Sequence, residues 1–253
     1  MNYLKRLHVN RIILPLMLLF IGVASSIALN YKHTGVFFNV DRKVPIYSVE
    51  TQEKKVAISF DASWGEDNTN QILDILDKYN VKTTFFVVGA WVDQFPDKVK
   101  EMSSRGHEIG NHSNKHPDMT QISRSKIIEE IAITDAKIRG LTGVGTNLFR
   151  CPSGAYNNLV VETVESTKHY CVQWDVDSID WKANGAEVEY NRVIKNVKPG
   201  SIILFHNDGK YTPENLPKII EKLKKEGYTI VKVSELIYKE NYHIDPAGKQ
   251  IPN

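Results

Sequence analysis

Net charge is nearly missing from this chain. Its 32 Lys and Arg residues meet 30 Asp and Glu, for a formal charge of +2. No run of like charges breaks that balance, so counterion release from a nucleic acid has little to draw on. Cysteine is scarce as well. Cys151 and Cys171 are the only two, too few for a disulfide-dense scaffold. They could pair, because the exterior of a cell is oxidising, but the favoured reading is two small buried hydrophobes in neighbouring strands, since a chain of 253 residues builds an adequate core without staples. Internal repeats and low-complexity tracts are also absent, which excludes repeat arrays and fibrous chains. What is left is ordinary globular usage, 42% hydrophobic and 25% charged, enough for one α/β domain or two small ones.

One long apolar run stands out. Ile12 to Leu29 follows a basic flank, residues 1–11, that holds Lys5, Arg6 and Arg11. The run just reaches across a bilayer as a helix. Its positive side precedes it, so the rest of the chain is expected to face outward. Ala24, Ser25 and Ser26 make a weak cleavage site, which favours an uncleaved anchor over a signal peptide. Either reading exports the protein, as a single-pass protein of the cell membrane or a secreted one. Residues 30–55 show no sustained period and read as a stalk, with an extended piece near Val44–Val49.

From there the pattern alternates. Apolar, β-rich runs fall at 56–60, 83–88, 108–111, 147–151, 170–174, 201–205 and 228–233. Amphipathic helical patterns lie between them, at 67–79, 123–141, 188–197 and 213–226. Alternation of this kind implies a parallel sheet with right-handed crossovers. About seven such units predict a distorted (β/α) barrel over residues 56–240. The polar tail 241–253, with two prolines, is expected to be loose.

Function in a parallel α/β fold gathers past the C-terminal strand ends. Asp61 follows the first strand, His112 and His116 the third, Arg150 the fourth, Asp180 the fifth and His206 the sixth. That set suffices for metal-assisted amide hydrolysis. Two neutral imidazoles can hold a divalent ion, a carboxylate can take a proton from water, and an opposing histidine can protonate the leaving amine. Taken singly, each residue has a plainer reading. Asp61 could cap a loop, Arg150 and Asp180 could form a structural ion pair, and Asp61 with Asp180 or Glu66 could imitate a glycosidase pair. His8, His33, His169 and His243 read as ordinary exposed histidines, and His107 as structural. Trp64 and Trp181 could form a sugar platform, while Trp91 and Trp174 default to core packing.

Five motifs in order resemble the polysaccharide deacetylase family, also called NodB-homology or carbohydrate esterase family 4. They are Phe60-Asp61-Ala62-Ser63-Trp64-Gly65, His112-Ser113-Asn114-Lys115-His116, Arg150-Cys151-Pro152, Asp180-Trp181 and Leu204-Phe205-His206. The first stretch and the single anchor look most like the family's sporulation members. The resemblance implies deacetylation of N-acetylated cell-wall sugars such as peptidoglycan. It implies Asp61 as base, His112 and His116 as metal ligands, and Arg150 as the residue that orients Asp61. It further implies the Ser153 amide facing the oxyanion, Asp180 tuning His206 as acid, and Trp181 and Leu204 lining the acetyl pocket. The implied metal is divalent, zinc or cobalt.

One position departs. The family's first motif carries two adjacent aspartates, the second a metal ligand, and here that position is Ala62. Weak metal occupancy is therefore expected, and Ala62→Asp is expected to tighten it. The same departure supports a rival reading, a barrel that binds glycan without turning it over.

Overall fold

The computed structural model describes Leu19 and residues 42–253. The expected anchor 12–29, its basic flank, His8 and His33 lie outside the described residues, Leu19 excepted. Among the described residues no helix is long and apolar enough to cross a membrane.

Eleven strands are numbered here in chain order: β1 (Ser48–Val49), β2 (Lys55–Ala62), β3 (Thr84–Val87), β4 (Glu108–Asn111), β5 (Leu148–Phe149), β6 (Tyr170–Cys171), β7 (Val176–Asp177), β8 (Ile202–His206), β9 (Thr229–Val231), β10 (Tyr242–Ile244) and β11 (Lys249–Pro252). The main sheet runs in the order β6-β5-β4-β3-β2-β8-β7, and β9 adds to the start of β2. Every pairing within it is parallel. The result is a curled, parallel half-barrel, as the strand–helix alternation implied. β7 has only two residues, and no periodic pattern marks it.

The alternation of β2 separates two cores. Val56, Ile58, Phe60 and Ala62 face helices, packing in a cluster with Ile72, Leu73 and Leu76 and with Leu216, Ile219, Ile220 and Leu223. Ala57 belongs to a second cluster with Ile46, Phe86, Leu148, Val172 and Ile202. Ser59 and Asp61 share the Ala57 side by the two-residue period of a strand. Each fully buried Leu, Ile or Phe contributes roughly 1.5–3 kcal/mol, so register is fixed strongly. A one-residue slip of β2 would turn Asp61 into the helical layer.

The helices form where their apolar spacing predicts them. Thr69–Lys78 buries Ile72, Leu73 and Leu76 at helical spacing. The helix Arg124–Thr142 starts at Ser123, whose Oγ accepts the Lys126 amide, and stops at Gly143 with φ 76°. Glycine is favoured there because a side chain resists that left-handed conformation.

Two expectations are corrected. The described part of the presumed stalk, residues 42–55, is packed into the domain. Val44, Ile46 and Val49 are buried. Ile46 bridges to Val172 beside β6, and Ser48 bridges to Ser201 beside β8. This segment therefore spans the gap between the two arms of the sheet. The expected loose tail is a β10–β11 hairpin, and β11 runs parallel to β1. Gln250 holds it down by accepting from the Tyr238 amide and donating to the Tyr238 carbonyl. Composition suggested disorder, but the backbone hydrogen bonds are made across more than 190 positions of sequence.

Gly200 permits the closure. Its φ is +82°, and a Cβ there would lie 1.7 Å from the Val49 carbonyl oxygen. Gly200→Ala is expected to destabilise the domain by roughly 2–4 kcal/mol, read as a lower denaturation midpoint.

Candidate active site

Arg150 is the fixed point of the site. It is fully buried, yet its guanidinium is matched on several sides. Nη1 donates to Asp61 Oδ1 at 2.7 Å. Nη2 donates to Ser59 Oγ at 2.9 Å and to the Gln173 carbonyl at 3.2 Å. The Phe86 ring lies 4.0 Å from the guanidinium carbon. Burial alone would push the Asp61 carboxyl up. The charge of Arg150, then that of His206, together with the Arg150 hydrogen bond, outweigh that and hold it below the usual carboxylate range.

His112 is tied to the same residue by the backbone. Its Nδ1 lies 2.8 Å from the Arg150 carbonyl. A carbonyl only accepts, so Nδ1 carries the proton and Nε2 presents its lone pair to the cleft. Nε2 sits 3.4 Å from Asp61 Oδ2. Burial pulls the His112 pKa down to about 4 and lowers that of His116 too, so both rings are neutral, as metal ligands must be. The two rings are 5.0 Å apart by centroid. The loop between them is held by Glu130 Oε2, which accepts from the Asn114 and Lys115 amides. Ser113 and His116 both have positive φ, 67° and 55°, a strained path that these hydrogen bonds maintain.

The donor chemistry fits a divalent ion at two imidazoles. It does not extend to a full cage, because among the described residues no group of three His, Cys, Asp or Glu side chains is placed to hold a metal. Ala62 explains the shortfall. It is fully buried in the helix-facing cluster, on the opposite pleat from Asp61. Neither Glu66 nor Asp67 lines the cleft, and Glu66 pairs with Lys98 at 3.5 Å instead.

Across the cleft, His206 lies on β8 as the register partner of Asp61 on β2. Its Nδ1 donates to Asp180 Oδ1 at 2.7 Å. Asp180 is itself well seated. Its oxygens also accept the amides of Trp181 and His206 and the Thr212 hydroxyl. Burial would lower the His206 pKa. The Asp180 hydrogen bond, with the charges of Asp180, Asp61 and Asp208, overrides it and lifts the value to about 9. Arg150 and Asp180 are thus not a structural pair; each serves a different partner. Asp180 is committed to His206, which removes it as half of a glycosidase pair.

A cleft of about 640 Å³ joins these groups. Asp61, His112, His116, Asp180, Trp181, Leu204 and His206 all line it, together with Ser153. Arg150 stands behind Asp61. Ser153 has φ 53° in the turn after Pro152, and its amide donates to no protein group among the described residues. An unpaired N–H on a residue that lines the cleft is what an oxyanion site needs. Trp64 and Trp181 are 62% and 61% exposed at the cleft mouth, where apolar faces of this size call for a ligand. Trp91 is buried as expected, and Trp174 packs against the second core cluster while also lining the cleft. His107 is buried and accepts the Thr83 amide, as a structural residue would. His169, expected to be exposed, is buried against Asp135 at 3.1 Å. Ser59, Gln173, Glu130 and Thr212 were invisible as site residues in the sequence, because only tertiary contact makes them supports.

A parallel half-barrel with an ionised carboxylate and a protonated histidine facing one cleft defines a hydrolase scaffold of the acid–base type. The polysaccharide deacetylase family profile matches residues 48–172. The peptidoglycan-N-acetylmuramic acid deacetylase PdaA of Bacillus subtilis is 33% identical over 209 residues, covering 81% of this chain and 80% of that one. A peptidoglycan-N-acetylglucosamine deacetylase of Bacillus cereus is 37% identical over 196 residues, covering 76% and 92%. BA3943 of Bacillus anthracis, a carbohydrate esterase family 4 pseudoenzyme, superimposes with a TM-score of 0.74 at 34% identity, covering 76% of this chain and 68% of that one. The chain belongs to the polysaccharide deacetylase family, a family of hydrolases.

Two outcomes are expected. Asp180→Asn removes the negative charge that keeps the imidazolium, so His206 should titrate well below about 9, seen by NMR of the ring protons. Because the folded value is raised, its stabilisation is full below the unfolded value of ~6.5 and lost as pH rises through about 9. The same substitution should flatten that pH dependence of stability. Arg150→Met leaves Asp61 buried without a counter-charge, and should cost about 3–5 kcal/mol in chemical denaturation. Adding Asp61→Asn should recover part of that loss.

Proposed function

We propose that this chain deacetylates N-acetyl amino sugars of peptidoglycan outside the cytoplasm, anchored by residues 12–29, in the sporulation setting its first motif suggests. The observation that carries the reading is the opposed protonation of two register partners. Asp61 is held ionised and His206 held protonated on one cleft.

The chemistry follows from those states. The sugar seats between Trp64 and Trp181, and the acetyl methyl rests on Leu204 and Trp181. Asp61 takes a proton from water as the oxygen attacks the amide carbon. The Ser153 amide donates to the developing oxyanion. As the carbon–nitrogen bond breaks, His206 Nε2 gives its proton to the nitrogen, leaving acetate and a free amine. Asp180 keeps Nδ1 engaged and the ring aimed. Arg150 lowers the basicity of Asp61 while orienting it, so Asp61 is a weak base for ordinary water. A divalent ion, zinc or cobalt, held by His112 and His116 would supply the Lewis acidity that offsets this.

Ala62 favours a second reading, a catalytically inactive glycan-binding barrel. Acetate release from peptidoglycan or chitooligosaccharide, with zinc or cobalt added, separates the two. Under the first reading release occurs, falls as pH rises through about 9, and drops by at least ~100-fold in both Asp61→Asn and His206→Ala. Glycan binding with no release under either metal establishes the second.

A further inference from the structure

Two thiols lie directly behind the oxyanion turn and take no part in the proton transfers. Cys151 follows Arg150, and its carbonyl accepts the Gly154 amide at 3.0 Å, closing the turn that presents Ser153. Cys171 lies on β6, in register with Phe149 of the adjacent β5. The two Sγ atoms are 3.6 Å apart. Both side chains are buried in one apolar cluster with Met119, Phe149, Val160 and Val164. No other cysteine exists in the chain, so neither thiol has a competing intramolecular partner.

A disulfide needs its sulfurs at about 2.05 Å. Sulfurs already in van der Waals contact are a small side-chain rotation from that bond. The adjoining Cys151 thiol, and then burial, push Cys171 well above the ordinary thiol range. Thiolate attack in the closed fold is therefore suppressed, and bond formation belongs to folding, before the cluster closes.

We propose that Cys151 and Cys171 form a structural disulfide as the chain folds in an oxidising compartment. The electron acceptor is a disulfide, small-molecule or carried by a thiol oxidoreductase. One protein thiolate attacks it, expelling a thiol. The second protein thiolate then attacks the mixed disulfide, expelling the other. The protein loses two protons and two electrons, and the acceptor leaves as two thiols. The bond closes a loop between positions 20 apart, which holds the Ser153 turn and the helix Asn158–Ser166. It would clamp β5 to β6, a pairing of only two residues each at one end of the sheet. The proposal goes beyond the deacetylase reading and is testable whether or not the protein is active.

The test uses the full chain in detergent micelles. It is refolded from denaturant in a buffer of oxidised and reduced glutathione, then alkylated in denaturant and weighed. The expected product has no alkylated thiol, no attached glutathione and the mass of two hydrogens less than the reduced chain. Adding reductant should lower its melting temperature by roughly 6–12 °C. Cys171→Ser should abolish that reductant effect. Two alkylated thiols in a natively folded product overturn the proposal, as does a disulfide whose reduction leaves the melting temperature unchanged. If refolding yields no native protein, exported protein alkylated before lysis reads the same two outcomes.

Discussion

The buried pair of Arg150 and Asp61 constrains most of what surrounds it. Two charges removed from water cost several kcal/mol each unless every remaining donor and acceptor is met. Ser59 and the Gln173 carbonyl take the second guanidinium nitrogen and Phe86 covers its face, while Nε alone has no hydrogen-bond partner among the described residues. These partners come from β2, β3 and the segment just past β6, so the pair exists only if the sheet curls as it does. Arg150 also acts through its backbone. The carbonyl that accepts the His112 proton belongs to the residue whose side chain holds Asp61. The base and the first imidazole are thus positioned by one amino acid, and neither can shift alone.

The pair also sets the chemistry next door. Asp61 and His206 are register neighbours, and each charge favours the other. That mutual support has a consequence. A carboxylate stabilised by an arginine and an imidazolium is easily kept ionised but weakly basic. The acid side of the reaction is well provided for, because Asp180 and the β8 backbone lock the imidazolium in place. The base side needs help, and it is there that Ala62 removes a carboxylate.

Much of this was legible from the sequence. β4 was read at its observed bounds, and the start of β8 within one residue, because buried parallel strands are short apolar runs with sharp edges. Asp61, His112, His116, Asp180 and His206 converge on one cleft, with Arg150 behind Asp61, since parallel strands place their C-terminal ends on one rim. What escaped was long-range. The segment around Ile46 and the hairpin at 242–252 have little local periodicity, and their order comes from hydrogen bonds to each other and to the sheet arms. Glu130 carries no sequence signal of its own, because its support role comes from the Asn114 and Lys115 amides that it accepts. His169 looked solitary because Asp135 reaches it from the distant helix Arg124–Thr142.

Ala62 bears on the choice between enzyme and binder in a way that spacing alone did not reveal. Its side chain is fully buried in the helix-facing core. An aspartate there would have to leave that apolar layer to reach the imidazoles, so the tightening expected of Ala62→Asp carries an opposing packing and desolvation cost. The remaining machinery argues in the other direction. Replacing a buried ion pair with apolar residues is often neutral or stabilising, so stability does not require Arg150 and Asp61. Glycan binding needs the Trp64 and Trp181 faces and a groove, not an imidazolium held by a carboxylate that three further hydrogen bonds fix in place. Costly charges kept in opposed protonation states beside an unpaired Ser153 amide support the proposed turnover over glycan binding alone.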